Sequence, residues 1–185
     1  MRLFFNQLPY KVLILLLAIF ISACFGGNIY KRGSVTGFKH GTVYTHGGSF
    51  RIGTLPDYWH EKTISYRALL FENDKDHSTI TVDAWCKSAV DDSSLEVLSQ
   101  HLYRGLEGFK VMSQNKLFLS GREALRTDVS GKVDGVPVFM STYVLKLNSC
   151  VYDFIYVGFE SKNASFTDFI QMIDGFQYLK GPRIL

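Results

Sequence analysis

Residues 109–159 read FKVMSQNKLFLSGREALRTDVSGKVDGVPVFMSTYVLKLNSCVYDFIYVGF, and this stretch decides the fold. Four runs rich in apolar and β-branched residues divide it: 109–119, 123–133, 136–147 and 150–159. The pairs Asp134-Gly135 and Asn148-Ser149 separate the last three runs and are typical of tight hairpin turns. Runs joined by such short turns predict a meander of antiparallel strands.

Further strands are predicted upstream of this meander. Residues 79–86 alternate at period two, which places Ile80, Val82, Ala84 and Cys86 on one face. Residues 48–54 and 66–71 give weaker strand signals, with Phe50 and Ile52 sharing a face in the first.

Two helices are predicted, one before the meander and one after it. Ser93 and Glu96 form a capping box ahead of an apolar stripe, and Gly108 is the predicted stop. The stripe consists of Leu95, Leu98, Leu102 and Leu106. Ser165 is the predicted cap of the second helix, with Asp168 in the reciprocal position. The order of elements predicts an α+β fold with one helix packed on each face of an antiparallel sheet.

The first 23 residues differ from the rest of the chain. Arg2 and Lys11 are their only charges, and an apolar run occupies residues 12–21. A basic start, a short apolar core and small residues at its end predict an export signal. The apolar run is shorter than the roughly 20 residues that a transmembrane helix needs.

Ile21-Ser22-Ala23-Cys24 follows the apolar run and resembles the lipobox of bacterial lipoproteins. The resemblance implies that residues 1–23 are a signal peptide and that Cys24 carries the lipid, with palmitate as one acyl chain. Phe25 rather than Asp follows the cysteine, which in that family favours the outer membrane, facing the periplasm. The alternative is an uncleaved membrane anchor in which Cys24 is incidental.

The sequence also predicts how the mature chain is organised. Residues 24–41 are rich in glycine and polar residues, which is typical of a flexible tether. Residues 42–185 are predicted to form a single globular domain, because 46% of the chain is hydrophobic and 15% aromatic. The formal net charge of +3 is too small to indicate a nucleic-acid partner, and removal of Arg2 and Lys11 with the signal leaves the chain close to neutral.

Several short motifs together resemble the PsbP-like family, whose fold is an antiparallel sheet between helices. They are Phe50-x-Ile52 leading to Leu55-Pro56-x-x-Trp59, residues 68–71 and 79–84, Gly121-x-x-Ala124-x-Arg126, and the closing helix from Ser165. The resemblance spans residues 49–179. It implies an αβα sandwich and a non-catalytic binding or assembly role, and it carries no catalytic motif onto this chain.

Cys86 and Cys150 remain once Cys24 is assigned to the lipid. Two cysteines in an exported chain favour a disulfide if their strands lie close together. Two buried thiols are the alternative, since each cysteine stands in an apolar strand.

The motifs of catalysis and cofactor binding give little signal. His40, His46, His60, His77 and His101 are scattered and lack the spacing of zinc ligands. No nucleophile elbow or phosphate-binding glycine motif occurs. We therefore expect no enzyme activity, no cofactor and no metal site.

Tyr58 and Trp59 are predicted to lie in a connection between strands, exposed for contact with a partner. This favours a non-catalytic binding or assembly module that docks on an envelope protein complex. Carriage of a hydrophobic or lipid ligand in the periplasm is the alternative, and it predicts an opening between sheet and helix lined by aromatic residues of the C-terminal third. An enzyme is the third reading and would need a polar pocket with perturbed titratable groups.

Overall fold

The meander predicted from residues 109–159 forms more than half of a seven-stranded antiparallel sheet, here called the large sheet. The computed structural model describes residues 35–62, 68–86 and 92–180. The strands of the large sheet are β4 (Trp59–Lys62), β5 (Leu69–Asn73), β6 (Thr79–Cys86), β7 (Glu107–Leu119), β8 (Arg122–Val133), β9 (Val136–Leu147) and β10 (Cys150–Gly158). Their order across the sheet is β4-β5-β6-β10-β9-β8-β7. The last strand of the meander, β10, therefore pairs with β6, which precedes the meander in the sequence.

A second antiparallel sheet, the small sheet, joins both ends of the described chain. Its strands are β1 (Val35–Lys39), β2 (Thr42–Thr45), β3 (Gly48–Arg51) and β11 (Gln177–Lys180), in the order β1-β2-β3-β11. The ordered sheet therefore begins at Val35, inside the segment expected to be a tether, rather than at Thr42. Backbone pairing of β1 with β2 explains the earlier start, since Val35 faces Thr45 and Lys39 faces Thr42.

Helices α1 (Leu95–Tyr103) and α2 (Ala164–Asp174) cover opposite faces of the large sheet. On the α1 face, Ser99 donates a 2.9 Å hydrogen bond to Thr127 of β8. On the other face, the Phe169 ring of α2 lies 5.7 Å from the ring of Tyr143 in β9. Successive strand residues point to opposite faces, so a meander flanked by two helices buries both sides. The predicted α+β fold is confirmed.

Both helix caps differ from the sequence prediction by a residue or two. Ser94 caps α1 by accepting a hydrogen bond from the Val97 amide, one residue after the predicted Ser93. Asn163 caps α2 and accepts from the Phe166 amide. Ser165 instead donates a 2.6 Å hydrogen bond to Asp76 in the β5–β6 turn. The predicted cap residue thus ties the helix to the sheet.

The C-terminal end and buried side of α1 also differ from the prediction. The helix ends at Tyr103, and Gly108 lies in β7 with a φ of 56° at an irregularity of the strand pairing. The residues that α1 buries are Ser99 and Tyr103, whereas the predicted leucines within the helix are only half-buried. The leucine stripe faces partly outward because the helix covers only β8 and β9.

The main core lies between the large sheet, α2 and the small sheet. Phe50 of the small sheet is fully buried, and its ring lies 5.1 Å from Tyr152 and 6.2 Å from Phe154. A smaller core on the α1 face contains Tyr103, Leu106, Val129 and Met140. Contacts group Arg32–Leu185 into one compact unit.

Neither of the described helices is long and apolar enough to span a membrane. The predicted signal peptide of residues 1–23 and the lipid attachment site Cys24 lie outside the described residues.

Candidate functional site

A cleft of about 820 Å³ opens on the α2 face of the large sheet, near the turn of the β8–β9 hairpin. Strands β8 and β9 form its floor, and the segment that leads from β10 into α2 forms one wall. Phe166, in the first turn of α2, also lines the cleft.

The floor of the cleft carries a nearly buried ion pair. Arg126 Nε and Nη2 donate to Asp128 Oδ1 and Oδ2 at 2.9 and 2.7 Å. Ser141 donates to Oδ1 at 2.7 Å, and Ser113 donates to Oδ2 at 3.0 Å. The Arg126 and Asp128 side chains are 28% and 13% exposed. Each Asp128 oxygen therefore accepts two hydrogen bonds, which holds the carboxylate and the guanidinium in one orientation.

Aromatic rings frame the guanidinium of Arg126. Its central carbon lies 5.3 Å from the ring of Phe166 and 5.7 Å from that of Tyr143, in the range of cation–π contacts. Burial acts to lower the pKa of Arg126, but the hydrogen bonds to Asp128 outweigh it and the pKa is raised. Burial, partly offset by the charge of Arg126, raises the pKa of Tyr143. The site thus holds a fixed cation, a fixed anion and a neutral phenol.

Apolar side chains form much of the wall of the cleft, beside Glu160, Ser161 and Lys162. Phe139, Phe159, Phe166 and Met112 line it, and the rings of Phe139 and Phe166 are 5.2 Å apart. Phe159 and Met112 stand at the rim and are each 60% exposed. The carrier alternative predicted an opening between sheet and helix lined by aromatic residues of the C-terminal third. Phe159 and Phe166 are two such residues, and both line this cleft.

Exposed apolar side chains gather at the same end of the large sheet, here called the hairpin end. Of the ten exposed large hydrophobic side chains among the described residues, six lie there. They are Phe109, Val111, Met112, Val133, Val136 and Phe159. They lie on both faces of the sheet: Val133 pairs with Val136 and Phe109 lies against Tyr103 on the α1 face, whereas Met112 and Phe159 line the cleft on the α2 face.

The ion pair on the floor was not predicted from the sequence. Arg126 was named only for a family motif, and Asp128, Ser113 and Ser141 were not assigned to a site. The available signal was the spacing of Arg126 and Asp128, which puts two opposite charges on one face of a predicted strand. The contribution of Ser113 and Ser141 depends on strand pairing, since each lies opposite Asp128 in a neighbouring strand.

Tyr58 and Trp59 do not form the exposed aromatic patch that was predicted. Trp59 is the first residue of β4 and is 6% exposed, and Tyr58 is half-buried. Tyr58 Oη and Trp59 Nε1 both donate to Asp168 Oδ2 of α2, at 2.8 and 3.0 Å. Hydrogen bonding to Asp168, together with burial, raises the pKa of Tyr58. The prediction that they are exposed is wrong, because the hydrogen bonds to Asp168 hold both side chains against α2.

Trp59 instead lines a smaller cavity of about 400 Å³ between the small sheet and strands β4 and β5. Phe38, Ile52, Leu55 and Phe71 form the rest of its apolar lining, with His40 and Glu61 also contributing. We assign no ligand to this cavity.

The predicted disulfide between Cys86 and Cys150 is confirmed. The two residues face each other in paired strands β6 and β10, with their Cα atoms 4.0 Å apart. Gly47 in the β2–β3 turn packs against the sulfurs, and a Cβ atom at this glycine would lie 2.7 Å from Cys150 Sγ. The disulfide is therefore one of the places where the small sheet packs on the large one, beside the contacts of Phe50 with Tyr152 and Phe154.

The described histidines serve as surface groups. His60 contacts Asp74 at 2.7 Å, and His77 lies 3.6 Å from Glu72. Among the residues of 35–62, 68–86 and 92–180, no group of three His, Cys, Asp or Glu side chains could hold a metal ion.

Comparison with known proteins gives likeness in fold. No family model and no curated protein matches the chain. LpqN of Mycobacterium tuberculosis, involved in cell envelope biogenesis, is 18% identical with a TM-score of 0.52, and the match covers 73% of this chain and 86% of LpqN. A protein of Bacteroides thetaiotaomicron is 11% identical with a TM-score of 0.51, covering 71% of this chain and 45% of that one.

The cyanobacterial PsbP of Synechocystis matches over a larger part of both chains. It is 10% identical with a TM-score of 0.54, and the match covers 84% of this chain and 97% of PsbP. At identities this low, the matches show a similar arrangement of the backbone and do not show a shared function. The chain therefore has the PsbP-like α+β fold that its sequence motifs implied.

Proposed function

We propose that this chain is a non-catalytic binding and assembly module of the bacterial cell envelope. Lipid on Cys24 holds it at a membrane, most simply the outer membrane on its periplasmic side. The folded domain docks there on an envelope protein complex. A tethered domain has a high local concentration near its partner, so a weak docking contact is sufficient.

The concentration of apolar side chains at the hairpin end carries this proposal. Apolar side chains that gather on the surface of a domain mark an interaction site. Charged neighbours Lys110, Lys132 and Glu107 surround it, as polar residues surround the centre of an interface. Two irregularities in the pairing of β7 with β8 distort this part of the edge strand. Bulges of this kind discourage addition of a further strand, so we place the contact on side chains.

The position of Val35, the first described residue, is compatible with docking through the hairpin end. Val35 pairs with Thr45, beside the β2–β3 turn that rests on the disulfide at the start of β10. The hairpin end lies at the other end of β10. The first described residue therefore lies toward the end of β10 that is opposite the apolar surface.

The proposed envelope role is supported by the sequence around Cys24 and by the likeness in fold to LpqN, and the proposed non-catalytic role by the lining of the cleft. The envelope location rests on the segment around Cys24, and LpqN, which shares the fold, is a protein of envelope biogenesis. The lining of the cleft contains no histidine or cysteine. Ser113 and Ser141 donate hydrogen bonds to Asp128, whose carboxylate is already paired with Arg126.

Site-specific photo-crosslinking in intact cells tests the docking surface. A photoreactive phenylalanine analogue at Val136, which is 49% exposed, should capture one dominant envelope protein. The same analogue at Tyr44, which is 46% exposed in the small sheet, is the matched control and should not. Equal capture at both positions, or none at Val136, would overturn docking through the hairpin end.

A carrier of a hydrophobic ligand is the second candidate function. The cleft favours it, because three phenylalanine rings and a methionine line an opening of a size typical of ligand sites. A lipid adduct with the photoreactive analogue at Phe159 would support this candidate, and a protein adduct there would support the first.

A further inference from the structure

We infer that the cleft binds a single-chain amphiphile whose head group carries no net charge. This inference rests on the second proposed function, carriage of a hydrophobic ligand, and names the class of ligand. The argument has one part for the apolar chain and one for the head group.

The walls provide a path for one apolar chain. Met112 and Phe159 stand on the rim, and Phe139 and Phe166 lie deeper. These two rim side chains are each 60% exposed, so their apolar surface is in contact with water unless a ligand covers it. Removing such surface from water is favourable. The volume of about 820 Å³ lies within the range for one small ligand.

The floor offers hydrogen-bond donors to the head group and few acceptors. Asp128 already accepts four hydrogen bonds from Arg126, Ser113 and Ser141. The bidentate contact uses one N–H each of Nε and Nη2 of Arg126, and the guanidinium also forms a hydrogen bond with Tyr143. Of its five N–H groups, the remaining ones can donate to a phosphate or carbonyl oxygen of a ligand.

The charges of the lining cancel. Arg126 and Lys162 are balanced by Asp128 and Glu160. A purely anionic head group would be attracted by Arg126 but repelled by the Asp128 carboxylate, which lies 2.7 Å from the guanidinium. A purely cationic head group would be attracted by Asp128 and repelled by Arg126. A zwitterionic or uncharged polar head satisfies both signs, so charge selects against charged amphiphiles.

Titration of the mature chain with three amphiphiles of equal chain length tests the inference. Residues 25–185 contain the compact unit Arg32–Leu185, and a signal peptide without a lipobox exports them without lipid. Dodecylphosphocholine, below its micelle concentration, should give saturable NMR shifts at Arg126 and Phe159. Dodecyl sulfate and dodecyltrimethylammonium should bind about tenfold more weakly, equivalent to ~1.4 kcal/mol. Each methylene removed from the chain should weaken binding by up to about fourfold.

Two variants separate the parts of the site. Phe159→Ser should weaken binding of all three amphiphiles by about tenfold, while Phe118→Ser is the matched control and should leave it unchanged, since Phe118 is 76% exposed and lies away from the cleft. Arg126→Lys loses the bidentate pair and should reduce the preference for the zwitterionic head while chain-length dependence remains. NMR spectra of each variant also report whether it is folded.

Equal affinity for the three head groups, tighter binding of either charged amphiphile, or no saturable shift would overturn the inference. These outcomes leave crosslinking at Val136 unaffected, and a hydrophobic ligand of another class captured at Phe159 would leave the carrier function standing. The failure of the ligand class, of carriage and of protein docking can therefore be told apart.

Discussion

Trp59 Nε1 donates a 3.0 Å hydrogen bond to Asp168, a residue 109 positions further along the chain. The same carboxylate oxygen accepts from the hydroxyl of the adjacent Tyr58. Two aromatic residues at the start of the first strand of the large sheet are thus fixed to the helix that follows its last strand.

Replacement of Trp59 tests this contact. Trp59→Phe should lower the free energy of unfolding by about 1–3 kcal/mol, because the buried Asp168 loses a donor and the smaller ring leaves space. Tyr58→Phe should cost less, about 0.5–1.5 kcal/mol, because Tyr58 is half-buried. Urea denaturation measures both, with the exposed neighbour Asp57→Ala as a control. An equal effect of all three variants would contradict the assignment.

Loss of the disulfide should destabilise the domain substantially. Cys86 and Cys150 are 64 residues apart, so the bond should stabilise the fold by about 4 kcal/mol in the chain-entropy model. Urea denaturation of the double variant Cys86→Ser, Cys150→Ser should show this loss. The wild-type chain in reductant should give a similar curve, and an unchanged midpoint in either sample would show that the bond does not contribute.

Gly47 should tolerate no side chain. An added Cβ would lie 2.7 Å from Cys150 Sγ and press on the disulfide, so Gly47→Ala should destabilise by about 1–3 kcal/mol. Gly37→Ala is the matched control, since no atom lies within 4 Å of the corresponding Cβ. Its thermal midpoint should stay close to that of the wild type. If the two variants unfold alike, the small sheet does not rest on the disulfide as described.

Asp153 should make stability depend on pH. Its Oδ1 is buried without a hydrogen-bond partner among the described residues, and it faces Asp83 across the β6–β10 pairing. Burial, with a smaller contribution from Asp83, raises the pKa of Asp153 from 3.8 to about 7. The folded state then binds the proton more tightly than the unfolded state, so this contribution to stability is full below pH 3.8 and is lost as the pH rises through about 7.

Asp153→Asn isolates that effect, because the amide does not ionise. The variant should gain stability relative to the wild type at about pH 8 and lose that advantage at about pH 4. Urea midpoints across this range measure the difference. Parallel pH profiles for the two proteins would contradict the assignment to Asp153.

The sequence predicted long strands well and short ones poorly. Residues 79–86 and 136–147 match β6 and β9 at both ends, because clear alternation or flanking turn signals define them. Strands β1, β2, β4 and β11 were not predicted. They have only four or five residues, and β1, β4 and β11 contain glycine or charged residues, so that the periodicity in each is too short to identify a strand.

The candidate site shows the same division. The disulfide was predictable because two cysteines in an exported chain favour a pair, and strand alternation put Cys86 on an apolar face. Trp59 was misplaced because its neighbours Pro56 and Asp57 suggest a loop, whereas tertiary contact with Asp168 determines its burial. The Arg126–Asp128 pair gave a local spacing signal, but its two serines belong to strands that only the folded sheet brings together.

The small sheet has a consequence for the order of synthesis. Strand β11 pairs with β3, so that Tyr178 lies opposite Phe50, and the last described strand completes a sheet that the first described strand begins. A growing chain has β1 to β3 long before their final neighbour exists, and Phe50 stays without its full cover until then. A chain shortened before Gln177 would leave β3 as an open edge able to pair with other molecules.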